Sequence, residues 1–177
     1  MGVVDPFSVA RAAGLELTGK SEGLTLTDGT MELRADFTRM HPRLKQGRLQ
    51  QELLVKAART KGIERPWAID ATAGMGEDAF LLAAQGYEVT LYEQNPVVAV
   101  LLKDVLPSRR RHTILKEIAA RMKLVEGDSV ECMSKLLDPV DVIYLDPMFP
   151  ARQKSSLINK KLQLIQKLEP PCSEETD

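Results

Sequence analysis

The run Asp146-Pro147-Met148-Phe149-Pro150 follows an apolar stretch, Val140 to Leu145, that reads as a buried parallel strand. In open α/β sheets the carboxyl ends of the strands form the ligand crevice. An amino group on a nucleic-acid base is a weak nucleophile, because its lone pair is delocalised into the ring. The Asp146 carboxylate and the Pro147 carbonyl can both accept its N–H groups, which returns electron density to nitrogen and aims it at an electrophilic methyl group. Proline fixes φ and removes a competing donor. Phe149 can stack on the base. The plainer alternative is a proline-rich turn around a buried Phe, and the position after a strand argues against it.

Three further groups sit at strand ends. Asp70-Ala71-Thr72-Ala73-Gly74-Met75-Gly76 is an acid followed by a glycine turn that opens a helix. Gly74 and Gly76 let the backbone turn sharply against a ligand, and the helix start offers free N–H groups. Alone, such a turn is as readily a tight strand-to-helix connection. Asp70 shifts the balance, because its carboxylate can meet the ammonium of an amino-acid ligand and would disfavour a pyrophosphate. Glu93 ends the next strand, 17 residues after Gly76, where an acid can accept from both hydroxyls of a ribose; the alternative is a solvated strand-end carboxylate. Asp128 and Ser129 follow a third strand. Asp128 could accept from an adenine amino group, and either residue would equally serve as a helix cap.

These residues need a frame of strands and helices. The spacing predicts strands over Trp67–Ala71, Tyr87–Tyr92, Leu124–Glu126 and Val140–Leu145. Helices are predicted over Glu77–Gln85, Asn95–Leu106, Ser129–Leu137 and Ser155–Leu168. Asn95 is a cap with Pro96 at the first helical position. The alternation implies a doubly wound parallel sheet. Upstream, Gly23–Arg34 reads as a hairpin around Thr27-Asp28-Gly29-Thr30, and Leu44–Arg59 as an amphipathic helix stopped by Gly62. The expected organisation is an N-terminal extension over 1–62, a ligand-binding domain over 63–169 and a tail over 170–177.

Composition narrows the class. The 177 residues suit one sizeable core, and hydrophobic content of 44% and charged content of 28% are those of a globular protein. No apolar stretch is long enough to cross a bilayer, and Met1–Ala13 does not read as a secretory signal. Cys132 and Cys172 share no metal-ligand spacing, so no metal site is expected and a reduced, cytoplasmic setting is. The net charge of −1 means that any polyanion must be held by a local basic patch.

The four groups together resemble the class I methyltransferases. The strings Asp70-Ala-Thr-Ala-Gly-Met-Gly-Glu-Asp-Ala-Phe80, Tyr92-Glu-Gln-Asn-Pro-Val-Val-Ala99 and Tyr144-Leu-Asp-Pro-Met-Phe-Pro-Ala-Arg-Gln-Lys-Ser155 are similar to the RsmJ family, which methylates guanine N2 in small-subunit ribosomal RNA. The resemblance runs from about Gly23 to Lys161. It implies a Rossmann-like fold, S-adenosyl-L-methionine as cofactor, and cofactor contacts at Glu77, Asp78, Glu93, Gln94, Asp128, Ser129 and Asp146. The chain departs from the family at Glu77 and Gln94, each standing where the family commonly has Arg. Only four of the seven strands of that fold can be placed in the sequence.

The implied reaction is displacement at a sulfonium methyl, by positioning and desolvation rather than by a metal or a dedicated base. His41 and His112 read as surface residues. RNA would be held locally. Arg152, Lys154, Lys160 and Lys161 flank the Asp-Pro run and are the better candidates for phosphate contact. Arg109–Arg111 is as readily a solvated face. Two other classes remain open on the residues: a nucleotide-binding oxidoreductase, and a catalytically silent RNA-binding or assembly module.

Overall fold

The computed structural model describes residues 4–45, 47–106, 113–146 and 160–168. Its centre is a four-stranded parallel sheet of β4 (Trp67–Asp70), β5 (Glu88–Glu93), β6 (Met122–Glu126) and β7 (Val142–Tyr144), in the order β6-β5-β4-β7. Asp70 lies in register with Leu91 on one side and Tyr144 on the other, and Glu93 pairs with Glu126. All four strands therefore end at one edge of the sheet. That edge carries Asp70, Glu93, Asp128 and Asp146 on the strands or just beyond them.

Helices α3 (Glu77–Gln85) and α5 (Thr113–Ala119) cover one face of the sheet, where Ala68, Val89, Leu91 and Met122 are buried against Phe80, Leu81 and Leu115. The opposite face buries Ile69 and Tyr92 against Cys132, Met133 and Leu136, around α6 (Ser129–Met133). Helix α4 (Pro96–Val105) begins where the sequence implies. The Asn95 side chain accepts from the Val97 and Val98 amides, and Pro96 occupies the first turn. Helix α3 is bracketed by Gly76 at φ 72° and Gly86 at φ 111°, both left-handed.

The N-terminal residues add a second layer. Helix α1 (Pro6–Ala12) is capped by Asp5, and the antiparallel strands β1 (Glu16–Lys20), β2 (Gly23–Thr27) and β3 (Glu32–Leu33) follow it. Leu17, Leu26 and Leu33 are buried with Val97 and Leu101 of α4 and with Leu164 and Ile165 of α7 (Lys160–Leu168). The Asp104 carboxylate accepts the Leu24 amide at 2.9 Å, and Lys167 pairs with Asp28 at 2.6 Å. The hairpin expected over 23–34 is β2–β3. The helix α1 and strand β1 were not expected.

Three expected elements differ, the first being the helix expected over Ser129–Leu137, which ends at Met133 as α6. The helix expected over Leu44–Arg59 is instead a 3-10 turn (Leu49–Gln51) followed by the short α2 (Leu53–Ala57). Gly47 at φ 81° and an extended Glu52 at ψ 130° interrupt it. The break rotates the apolar face, so that Val55 is buried and Leu53 is 81% exposed. The last strand is shorter than expected and is not buried. It is one of two edge strands of the parallel sheet among the described residues, and Ile143 is 60% exposed. Residues 155–159 of the last expected helix, and the tail, lie outside the described residues. Among the described residues no helix is long and apolar enough to cross a membrane.

Candidate active site

The glycine turn is held from both sides. Gly74 donates its amide to Glu93 Oε2 at 2.9 Å, and Asn95 donates its amide to Glu93 Oε1 at 2.8 Å. The carboxylate that ends β5 therefore joins the turn after β4 to the cap of α4. Glu93 is 9% exposed. The Ala73 amide adds a 3.1 Å bond to Tyr92 O.

The two glycines differ in role. A Cβ built on Gly76 would lie 2.8 Å from Leu102 Cδ1 and 3.4 Å from Phe37 Cζ, so this glycine is required by packing as well as by its φ of 72°. A Cβ on Gly74 would meet nothing nearer than Thr72 O at 3.9 Å. Gly74 thus faces open space on the side where the strands end.

Asp70 lies beneath this turn and is 1% exposed. Oδ1 accepts the Thr72 amide at 3.1 Å. Burial pushes its carboxyl up to about 7, and the nearby charges of Asp78 and Glu93 push in the same direction. The Thr72 and Ala79 amides oppose this, and Asp70 forms no ion pair with another described residue. A buried acid with acidic neighbours and no ion pair is a place where a bound cation would gain most.

The end of β7 is tied to the same turn. Ala71 donates its amide to Tyr144 O at 2.9 Å, Asp146 donates its amide to Thr72 Oγ1 at 2.9 Å, and the Tyr144 hydroxyl donates to Asp78 Oδ2 at 2.9 Å. Burial, then Asp78, hold the Tyr144 hydroxyl well above the usual phenol range, so it stays a donor. Asp146 therefore stands beside Thr72 at the mouth of the crevice, with its own residue exposed.

On the third strand, Asp128 caps α6, accepting the Glu131 amide at 2.9 Å, while Glu93 O accepts the Gly127 amide at 2.9 Å. The capping role is thus present, and it leaves one Asp128 oxygen for other use. Ser129 is half-buried and Gln94 is exposed; Glu77 and Asp78, half-buried, open α3. Pro147, Phe149, Arg152 and Lys154 lie outside the described residues, as do Arg109–Arg111 and His112. Lys160 and Lys161 begin α7. Reading the sequence missed Thr72 and Tyr144, whose roles depend on which strands are neighbours. Among the described residues no group of three or more His, Cys, Asp or Glu is placed to hold a metal ion.

Residues 6–171 match the family described as "Putative SAM-dependent methyltransferase". A relative from Thioalkalivibrio sulfidiphilus, named ribosomal RNA small subunit methyltransferase J, is 42% identical over 154 residues, which is 85% of this chain and 60% of the relative. A relative of the same name from Shewanella sediminis is 44% identical over 130 residues, 71% of this chain and 49% of the relative. The crystal structure of a SAM-dependent methyltransferase from Neisseria gonorrhoeae superposes with a TM-score of 0.66 at 29% identity, covering 81% of this chain and 65% of that one. The chain spans between half and six-tenths of the length of these two sequence relatives. The sheet is that of the Rossmann-like class I fold, and the chain belongs to the SAM-dependent methyltransferase family.

Proposed function

We propose that this chain binds S-adenosyl-L-methionine at the carboxyl ends of β4, β5 and β6 and serves the methylation of guanine N2 in small-subunit ribosomal RNA. The observation that carries the proposal is Asp70. It is a buried carboxylate with acidic neighbours, pushed up to about 7, beneath a glycine turn with an open face. The cofactor is cationic at its amino-acid end and at sulfur, and the donor set of Asp70, Asp78, Glu93 and Asp146 fits those charges. A dinucleotide pyrophosphate would meet the same carboxylates as repulsion, which disfavours an oxidoreductase.

Asp70 and the turn through Gly74 and Gly76 would hold the amino-acid end, with Glu77 and Asp78 at the start of α3. Glu93 would take the ribose hydroxyls, with Gln94 beside it. Asp128 and Ser129 would take the adenine. When bound, the cofactor supplies a methyl group on positively charged sulfur, an electrophile with a neutral leaving group. Asp146 and the Pro147 carbonyl would orient the acceptor amine by accepting its N–H groups, and Phe149 would stack on the base. Arg152, Lys154, Lys160 and Lys161 would contact phosphate. Ribosomal RNA as substrate implies a cytoplasmic protein. The relatives' printed names and the three motif strings support this substrate.

Calorimetry with S-adenosylhomocysteine, followed by labelled-methyl transfer to small-subunit RNA, tests the proposal. Binding of the cofactor product and label in guanine are expected. A folded protein that binds no S-adenosylhomocysteine would overturn it.

A further inference from the structure

The crevice poses an electrostatic difficulty for a polyanionic substrate. Its walls carry Asp70, Asp78, Glu93 and Asp146, so phosphates must be held from outside it. Residues 39–65 contain eight Lys or Arg and two Glu, a net charge of +6 in a chain whose total is −1. The remainder of the chain therefore carries −7. Segregation on this scale is a local field, not an average surface.

The structure lays this segment beside α3, starting at the crevice. At one end Phe37 stacks on Phe80 with ring centroids 4.5 Å apart, and its Cζ abuts Gly76. Arg43 is held by Glu52 through bonds of 2.8 and 2.7 Å, within electrostatic reach of Asp78 and Glu77 at the start of α3. At the other end Tyr87, just past α3, donates its hydroxyl to Ala58 O and accepts the Thr60 amide at 3.3 Å. Between these anchors the segment follows a helix about 14 Å long. Arg39, Lys45 and Arg48 are exposed in the half beside the glycine turn, and Lys56, Arg59 and Lys61 in the half beside Tyr87. None of these six makes an ion pair with another described residue.

We infer that residues 39–65 are a docking strip for the phosphodiester backbone of RNA, leading along α3 to the mouth of the crevice. The inference rests on the proposed RNA substrate for the identity of the polyanion. Charge density, exposure and anchoring carry the rest. Its contacts are with phosphate, so it sets affinity and placement rather than base choice.

The test is fluorescence anisotropy with a labelled single-stranded RNA of about 20 nucleotides, titrated at several salt concentrations. Two triple variants, R39Q/K45Q/R48Q and K56Q/R59Q/K61Q, remove three charges each from the strip. R11Q/K116Q/K123Q removes three exposed charges elsewhere. Each strip triple should weaken RNA binding by about tenfold or more near 0.1 M salt and flatten the log–log salt slope by about 2, since each single-strand phosphate contact contributes about 0.7. The control triple should change affinity less than about twofold. Equal losses in the control, no loss in either strip triple, or tighter binding to phosphatidylserine vesicles than to RNA would overturn the inference. If a triple fails to fold, R48Q and R59Q singly should each flatten the slope by about 0.7 and weaken binding more than K123Q does. S-adenosylhomocysteine titrations on the same proteins separate the two claims. Cofactor-product binding without strip-dependent RNA affinity overturns the strip alone. Strip-dependent RNA affinity without cofactor-product binding overturns the methyltransferase reading alone.

Discussion

The amide of Asp146 donates a 2.9 Å hydrogen bond to Thr72 Oγ1, joining the strand end that begins the Asp-Pro run to the glycine turn after β4. The two motifs are 74 residues apart in the chain and share one hydrogen bond at the crevice mouth. Anything that orders the glycine turn therefore also fixes the root of Asp146.

Asp146→Ala should separate binding from turnover. The side chain lies at the crevice mouth, where an acceptor amine would enter. Removing it should lower methyl-transfer rate on the order of 10²–10³-fold, with a much smaller change in S-adenosylhomocysteine affinity. The measurement is single-turnover kinetics beside calorimetry, on a protein shown to transfer methyl groups. A wild-type rate would make the Asp-Pro run a structural turn.

Glu93→Ala should cost both stability and ligand affinity, because it strips the acceptors from the Gly74 and Asn95 amides. Loss of a charged acceptor for a buried donor is worth about 1–3 kcal/mol. Urea unfolding and calorimetry should each show a loss in that range. A change in affinity with unchanged stability would mean that the two amide bonds contribute nothing to holding the turn.

Asp70 should make stability depend on pH with a defined sign. Its folded carboxyl is raised to about 7 from 3.8, so the folded state holds a proton that the unfolded state has lost. That contribution is fully present below the unfolded value and disappears as pH rises through about 7. Asp70→Asn should therefore match wild type near pH 4 and exceed it near pH 8, by on the order of 2–4 kcal/mol. Parallel unfolding curves at the two pH values check this. An equal difference at both would show that Asp70 does not titrate between them.

Gly76→Ala should destabilise the fold by about 2–4 kcal/mol, combining a left-handed penalty with overpacking. The new Cβ would sit 2.8 Å from Leu102 Cδ1, in a side chain that is 0% exposed and must shift within the core. Gly74→Ala meets no such contact and carries the backbone term alone, about 1–2 kcal/mol, with its methyl directed into the open face. The two variants compared by thermal unfolding and by S-adenosylhomocysteine titration should therefore rank oppositely, Gly76→Ala worse in stability and Gly74→Ala worse in binding per unit of stability lost.

Local chemistry was legible where it is self-contained. Asn95-Pro96 announces a capped helix, and α4 starts there. The bounds expected for α3, Glu77 to Gln85, are those observed, because glycine ends it on both sides. The period of apolar residues placed all four strands of the parallel sheet to within two residues at every end. Short elements were not legible. Helix α1 has seven residues, too few for a periodic signal, and buries only Ala10. Helix α5 (Thr113–Ala119) is likewise only seven residues long, and no helix is expected there from the sequence.

By itself the sequence determined which chemistry sits at each strand end: Asp70, Glu93, Asp128 and Asp146 each follow an apolar run, and parallel strands must present such residues at one edge. Only the tertiary structure decided who meets whom. Strand order put β4 between β5 and β7, and that placement gave Thr72 to Asp146, Tyr144 to Asp78 and the Gly74 amide to Glu93. It also buried Asp70 among acids and so raised its carboxyl, which no composition or spacing encodes, because desolvation depends on neighbours brought from elsewhere in the chain.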